Sequence, residues 1–504
     1  MDRLVVLSDV HLGSDLNDVG RPVPRSRDVD ADLVRLLEHY RTSTTPGDHL
    51  RVVFAGDLID FVGMMVHATG AALATERSHE ERVHGLGNAA DHAQIKLRLV
   101  VERHGDVFDA LADLVAAGQS MDIVHGNHDL EFHWDGVKDQ LRSTLLARAI
   151  VRSDRGYSLD ARAFGERIRF CPWFLYLPGI AYIEHGHQYD AFCASDCVMA
   201  PLSPADPRRI MRSVADVLLR FVVRTTRGMR EYGHETQGVT HYLAFGARLG
   251  PAGLLKLGAS FANAVLELFR LRREHLSPAA RAHREEHERR MVLLAEATTV
   301  GVERIRAIAA LQMAPATHTI RGILASVLLD RLALAVAAWA ALLLVAFLSL
   351  GYGAHAWLAA PLIVVAWAAM HWYFARQRHV DPERQLLERA GQLARLFPAV
   401  FVVMGHTHTP ARIALNEGAS TYINLGSWAE EETDARDPAR RVYCAARTHL
   451  VMCAGAPGPV AQLLAWGADG PRPWVSDPAG GTGNRSRPTG PWTTPSGAAP
   501  SSAS

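Results

Sequence analysis

Two uncharged apolar runs constrain this chain more than any other feature. "LALAVAAWAALLLVAFLSL", Leu332 to Leu350, and "AWLAAPLIVVAWAAMHWYF", Ala356 to Phe374, are separated only by "GYGAH". Each run approaches the ~20 apolar residues needed to cross a bilayer. Trp357, Trp372 and Tyr373 stand near the ends, where interface aromatics collect. The pattern predicts a transmembrane helical hairpin within residues 321–380. The competing reading is a buried, Ala-rich hairpin in a soluble protein. Arg321, Arg331, Arg376 and Arg378 flank the outer ends, and the connecting turn carries no Lys or Arg. The positive-inside rule then puts both ends, and everything attached to them, in the cytoplasm.

The 504 residues are too many for one ordinary core, so two or more folded units are expected. With 53 basic and 53 acidic residues there is no electrostatic case for nucleic acid as a partner. The 25 histidines are the more useful signal. Five cysteines, Cys171, Cys193, Cys197, Cys444 and Cys453, are sparse and odd in number, which fits ordinary thiols in a reducing compartment. Cys193 and Cys197 are close, but no second pair completes a zinc site. "MDRLVVLSDVHLG" starts with a strand-like run rather than a basic region and a long apolar one. No signal peptide is expected, and the first domain is expected to stay in the cytoplasm.

Residues 1–190 alternate short β-branched runs ("RLVVLSD", "RVVFAGD", "MDIVHGN") with helical stretches such as "ADLVRLLEHY" and "VFDALADLVAAG", the latter closed by Gly118. That order predicts a layered α/β domain. The long loop from Phe61 to Asn88 is a candidate lid. Over 191–320 the strands stop and Arg-rich amphipathic helices are expected, for example "RRIMRSVADVLLRFVVRTTR" and "LLKLGASFANAVLELFRLRR". Their apolar faces either pack together or lie in a membrane interface. After the hairpin, 381–454 returns to α/β character, with a helix from Asp381 and strands "AVFVVMGH", "ASTYINLGSW" and "RRVYCAART". From 455 to 504 the Pro-, Gly- and Ser-rich composition predicts a disordered tail.

Five apolar runs end in Asp, Asn or His. "VVLSDVHLG" supplies Asp9 and His11, "VVFAGDLID" Asp57 and Asp60, "DIVHGNHD" Asn127, His128 and Asp129, "AYIEHGHQYD" His185 and His187, and "VVMGHTH" His406 and His408. In α/β sheets ligands gather outside the carboxyl ends of strands. Residues two apart on a strand share a face, which suits Asp9 with His11 and His406 with His408. A single such pair is more often structural, and an Asp after a strand is usually a turn cap. Five at one kind of position are hard to assign to caps. Mixed imidazole, carboxylate and amide ligands suit Mn, Fe or Zn, and there are enough for two metals sharing a bridge.

These blocks, "DVH", "GDLID", "GNHD", "HGH" and "GHTH" in that order, resemble the calcineurin-like metallophosphoesterase superfamily. The "GHTH" and "INLGSW" ending also resembles its UDP-2,3-diacylglucosamine pyrophosphohydrolase branch, which often departs from the His that this chain keeps at His128. The resemblance spans roughly 1–190 and 383–450. It implies a four-layer α/β/β/α sandwich, interrupted by the helical insertion and hairpin, with two divalent metal ions above the strand ends, Mn or alternatively Fe or Zn. Asp9, His11, Asp57 and His408 would hold one metal. Asp57 would bridge to a second, completed by Asn127, His185 and His406. His187 either supports these ligands or competes with His185. His128, oriented by Asp60, would protonate the leaving group while hydroxide bridging the metals attacks phosphorus.

The implied activity is membrane-anchored hydrolysis of a phosphoester or pyrophosphate bond in a phosphorylated small molecule or a lipid- or nucleotide-linked substrate. The alternatives are a phosphatase of soluble phosphoproteins or nucleotides, or a membrane scaffold with a relict metal site. Arg21, Arg25 and Arg27 are candidate phosphate contacts, set against a solvated loop. His67, His79, His84 and His92 are candidate lid residues, set against surface helix positions.

Overall fold

The computed structural model describes residues 3–18, 27–45, 47–67, 72–152, 159–226, 229, 239–298, 300–352, 357–377, 381–428, 431–433, 441–443, 447–453 and 458–475. The fold is mixed α/β with two mixed sheets. The strands are β1 (Arg3–Leu7), β2 (Leu50–Ala55), β3 (Ser120–Val124), β4 (Ile168–Cys171), β5 (Phe174–Leu177), β6 (Ala181–Glu184), β7 (Phe401–Met404), β8 (Ala411–Leu415), β9 (Ser420–Asn424), β10 (Glu431–Thr433), β11 (Arg441–Tyr443), β12 (Thr448–Cys453), β13 (Val460–Gly467) and β14 (Gly470–Pro473). One sheet runs β14-β13-β12-β1-β2-β3-β4 and the other β5-β6-β7-β9-β8, with β10 and β11 as a separate pair. β1 to β4 are parallel, as are β6, β7 and β9. Parallel strands of this kind bury both faces, which explains the unbroken apolar runs.

Strand alternation divides those runs between three cores. Val5, Leu7, Val52, Phe54, Met121 and Ile123 pack with Leu33, Leu36, Leu97, Leu111 and Leu141. These last come from α1 (Arg27–Thr42), α3 (Ala90–Arg103), α4 (Gly105–Ala116) and α5 (Asp135–Arg152), with the short α2 (His79–His84) and α6 (Ala161–Glu166) completing this half. Leu4, Val6, Val53, Ala55 and Val124 share a second core with Ala181, Ile183, Phe401, Val403 and Ile423 of the other sheet. Tyr182, Val402, Met404 and Tyr422 form a third with Leu386, Leu393, Met291, Ile305 and Ile308.

The remaining helices are α7 (Val214–Leu218), α8 (Val239–His275, broken at Gly250–Pro251), α9 (Ala279–Thr298), α10 (Val302–Ala309), α11 (Ile320–Ser326), α12 (Leu329–Tyr352), α13 (Ala359–Gln377) and α14 (Pro382–Leu396). Helix α14 starts on an Asp381 cap with Pro382 in its first turn, as expected. A separate cluster of Val214, Val217, Phe221, Leu257, Leu268, Leu271 and Ile323 joins α7, α8 and α11. The long amphipathic helix expected over "RRIMRSVADVLLRFVVRTTR" does not form. Only α7 and a π-helical turn, Leu219–Val223, are helical there, because Ser213 caps the start and Arg220 and Arg224 bend down onto the strand-end loops.

Two helices are long and apolar enough to cross a membrane, Arg248–His275 and Leu329–Leu350. The second apolar run forms a shorter helix; its apolar part, Ala359–Phe374, is about 24 Å long at ~1.5 Å per residue. Helices α12 and α13 pack side by side. Trp339, Phe347, Leu362 and Val365 are exposed, so the described residues do not bury this pair. The expected tail is corrected in part: β13 and β14 lie within 455–504 and extend the first sheet, since Ala461, Leu463 and Ala465 alternate onto its buried faces. Residues 455–457 and 476–504 of that tail, Arg21, Arg25 and Cys444 lie outside the described residues. None of the four described cysteines is in a disulfide.

Candidate metal centre

The strand ends converge at one edge of the two sheets, and the loops that follow are laced together. After β1, Val10 and His11 both donate their N–H to Asp57 O at 2.9 Å, and Asp60 N–H returns to Leu12 O. His128 N–H donates to Asp57 Oδ1 at 2.9 Å, which leaves Oδ2 on the site side. Asp9 Oδ2 accepts from Ser8 Oγ (2.5 Å) and His406 N (3.2 Å), which turns Oδ1 inward.

The remaining distances define a cluster. Asp9 Oδ1 is 3.1 Å from His408 Nε2 and 3.8 Å from His11 Nε2. Asp57 Oδ2 is 3.8 Å from His11 Nε2 and 3.2 Å from His185 Nε2. Asn127 Oδ1 stands 3.1 Å from the same His185 nitrogen, whose ring is fixed by Nδ1 against Ala55 O at 3.0 Å. Three overlapping groups here can hold a metal: Asp9–His11–His408, Asp9–Asp57–His185 and His11–Asp57–His128.

Strand alternation does not deliver these side chains, contrary to the expectation from residues two apart. β1 ends at Leu7 and β7 at Met404, so the candidate ligands sit on the loops beyond. Nine described non-glycine residues have positive φ, and five of them are Asp9, His11, Asp57, His406 and His408. Such backbone is uncommon outside glycine and concentrates at functional sites. The glycines beside them answer a packing need. A Cβ on Gly126 would stand 2.0 Å from Asp57 Oδ1, and one on Gly405 would stand 1.9 Å from Ser8 Oγ.

The electrostatics call for positive charge. Asp9 and Asp57 are both buried, yet the surrounding histidines outweigh the burial cost and hold both carboxylates well below the usual range. His185 shows the converse: burial depresses it, but Asp57 and Asp9 outweigh that and push it up to about 9. With Nδ1 donating to Ala55 O, its Nε2 points a lone pair at two acceptor oxygens unless it gains a proton. A bound cation satisfies the same three acceptors, so the donor set fits divalent metal.

His128 lies beside this group, its ring 4.7 Å from that of His11. Its Nδ1 meets Asp60 Oδ1 at 2.6 Å, and that oxygen also accepts from Gly63 N at 2.7 Å. Burial lowers His128, but Asp60 and Asp57 outweigh it and raise the group to about 10. Asp60 itself is held low, with burial opposed by His128 and Arg224.

His406 stands at the border. Its ring is 5.3 Å from His185, but its Nε2 is 3.2 Å from Asp190 Oδ2, and it groups with Asp190 and Cys193. His187 accepts from the Gln188 amide at Nε2 (2.8 Å), with its ring 5.4 Å from His185. Of the lid candidates, His92 is a buried structural residue, taking Gly87 N–H at Nδ1 and meeting Thr75 O at Nε2.

Four residues lie beyond the reach of sequence reasoning. Asp190 is the last residue of "AYIEHGHQYD", three positions after His187. Arg224 Nη2 donates to Asp60 Oδ2 at 2.9 Å from deep in the insertion, where no local pattern signals it. Asn424, in "INLGSW", donates to Gly405 O and Thr407 Oγ1 and so holds the last loop, while Ser427 Oγ donates to Asp9 O. No family model and no curated protein matches the chain.

Proposed function

We propose that the protein is a membrane-anchored phosphohydrolase of the metallophosphoesterase type, cleaving a phosphoester or pyrophosphate bond with two divalent cations, Mn or alternatively Fe or Zn. The observation that carries this reading is the convergence of Asp9, His11, Asp57, Asn127, His185 and His408 from five separate strand-end loops, with left-handed backbone at Asp9, His11, Asp57 and His408. The two sheets, sharing one core and carrying helices on their outer faces, are in this reading the four-layer sandwich that the resemblance implies.

Asp9, His11, Asp57 and His408 would hold one cation, and Asp57, Asn127, His185 and His406 the other, His406 exchanging its contact with Asp190 for the ion. When bound, the pair neutralises phosphoryl charge and lowers the pKa of a water. The chain's own groups do the rest. His128 donates a proton to the leaving oxygen from Nε2, because Nδ1 is engaged by Asp60. Asp60 is held by Gly63 N–H and Arg224, so the imidazole keeps one orientation. Helices α12 and α13 are the anchor, with both ends on the cytoplasmic side. An anchor concentrates the site near lipid, which favours a lipid- or nucleotide-linked phosphate over a soluble one.

The test is hydrolysis of bis-p-nitrophenyl phosphate, p-nitrophenyl phosphate and a UDP-linked lipid by the full chain with Mn2+, beside Asp57→Asn. The variant is expected to lose ~100-fold or more, since even residues behind metal ligands cost up to that. Equal rates reject the metal mechanism, and activity on soluble substrates alone rejects the lipid-linked one.

A further inference from the structure

A second cluster of metal-binding side chains lies in the insertion, apart from the strand ends. Asp196 follows the loop that carries Asp190, His275 ends α8, and His318 ends a short turn, Ala316–His318, just before α11. Asp196 Oδ2 is 2.8 Å from His275 Nδ1 and 2.7 Å from His318 Nε2, and the two rings are 4.8 Å apart at 74°. The outer nitrogen of His275 is engaged by Thr317 Oγ1 at 2.9 Å, the kind of partner that orients a metal-bound imidazole. His318 is 37% exposed, so one side of the cluster is open to water.

We propose that Asp196, His275 and His318 form a third cation site, for zinc, with water as its fourth ligand. Two imidazoles and a carboxylate with one open position are a donor set zinc takes. Bonds of ~2.0–2.1 Å in a tetrahedron put neighbouring ligand atoms about 3.3 Å apart. Each imidazole nitrogen therefore needs to move only about 0.5 Å from the carboxylate oxygen to admit the ion. The three ligands come from separate segments that are already docked: Met313 N–H donates to Gln188 O and Ala316 N–H to Ala191 O. The ion thus cross-links the loop after His187 to α8 and to the start of the helices that lead into the apolar pair. It is a structural brace and takes no part in the chemistry.

The experiment measures metal per chain on the full-length protein, loaded with Zn2+ and freed of excess by gel filtration, for the wild type, His275→Ala, His318→Ala and Asp57→Asn. His318→Ala is expected to lose one equivalent and Asp57→Asn to lose metal independently, with the double variant losing the sum. Co2+-loaded protein should lose a tetrahedral visible absorption band in His318→Ala and keep it in Asp57→Asn. If His275→Ala, at a buried position, fails to fold, His318→Ala carries the test, with circular dichroism confirming its fold. A folded His318→Ala with wild-type metal content overturns the site and leaves only a hydrogen-bonded pin. A loss in His318→Ala with none in Asp57→Asn sustains the brace while rejecting the catalytic reading.

Discussion

Gly126→Ala tests whether the glycines at the strand ends exist to let the ligands close in. The backbone at Gly126 is not left-handed, so alanine brings no φ strain. The added Cβ meets Asp57 Oδ1 at 2.0 Å, Asp57 N at 2.6 Å and Asp57 Cγ at 2.8 Å. Ordinary contact starts at 3.4 Å, so Asp57 Oδ1 must shift by about 1.4 Å and the Asp57 backbone by about 0.8 Å. Overpacking of this kind costs about 1–3 kcal/mol. A 1 Å misplacement at a reacting centre costs ~100-fold in rate. Gly118→Ala is the matched control: Gly118 sits at φ +88° after α4, with nothing within 4 Å of its Cβ. There the left-handed backbone costs about 1–2 kcal/mol and touches no ligand. Both variants should melt lower, but only Gly126→Ala should lose kcat/KM on bis-p-nitrophenyl phosphate with Mn2+, by ~100-fold. Wild-type activity in Gly126→Ala, or an equal loss in Gly118→Ala, refutes the argument.

Other outcomes follow from the same geometry. His128→Ala should lose ~100-fold or more on a phosphodiester with an alkoxide leaving group and much less on p-nitrophenyl esters, which need no proton; equal losses would remove His128 as the acid. Arg224→Ala should show the same leaving-group bias in weaker form, read as kcat rather than KM, because it acts through Asp60. His449 is buried against Tyr40 OH at 2.7 Å, and burial depresses it to about 3. The unfolded chain therefore binds its proton first, near its ordinary pKa of ~6.5. Its stabilising contribution is complete above about pH 6.5 and drains away toward pH 3, so His449→Phe should flatten the melting profile over that window. Carbonate washing should leave the full chain in the membrane fraction, and Leu343→Arg with Phe347→Arg, on the exposed face of α12, should release it.

Much of the architecture was legible because each core strand is an apolar run terminated by a polar, glycine-bearing turn. β1, β2, β3, β6 and β7 could be read this way, and the residues at their ends are the ones that converge. Their route to convergence was misread. Period-two alternation stops where the strand does, and the loops reach the site through left-handed backbone that sequence does not announce in Asp or His. Arg224 was illegible for a different reason. It is an arginine in an apparently amphipathic segment, and only tertiary docking on Asp60 and Ser14 O turns it inward. β14, "GPRP", was hidden by a composition that is equally compatible with an edge strand, and the apolar alternation of β13, "VAQLLAWG", was masked by the Gly- and Pro-rich stretches on either side of it.

The central claim is that two cations share Asp57. Electron paramagnetic resonance of the full chain loaded with Mn2+ addresses it directly, since ions ~3.5–4 Å apart couple magnetically. The account expects an exchange-coupled spectrum in the wild type that reverts to an isolated six-line Mn2+ signal in Asp57→Asn. A wild-type spectrum with only the isolated signal, under saturating Mn2+, would contradict it.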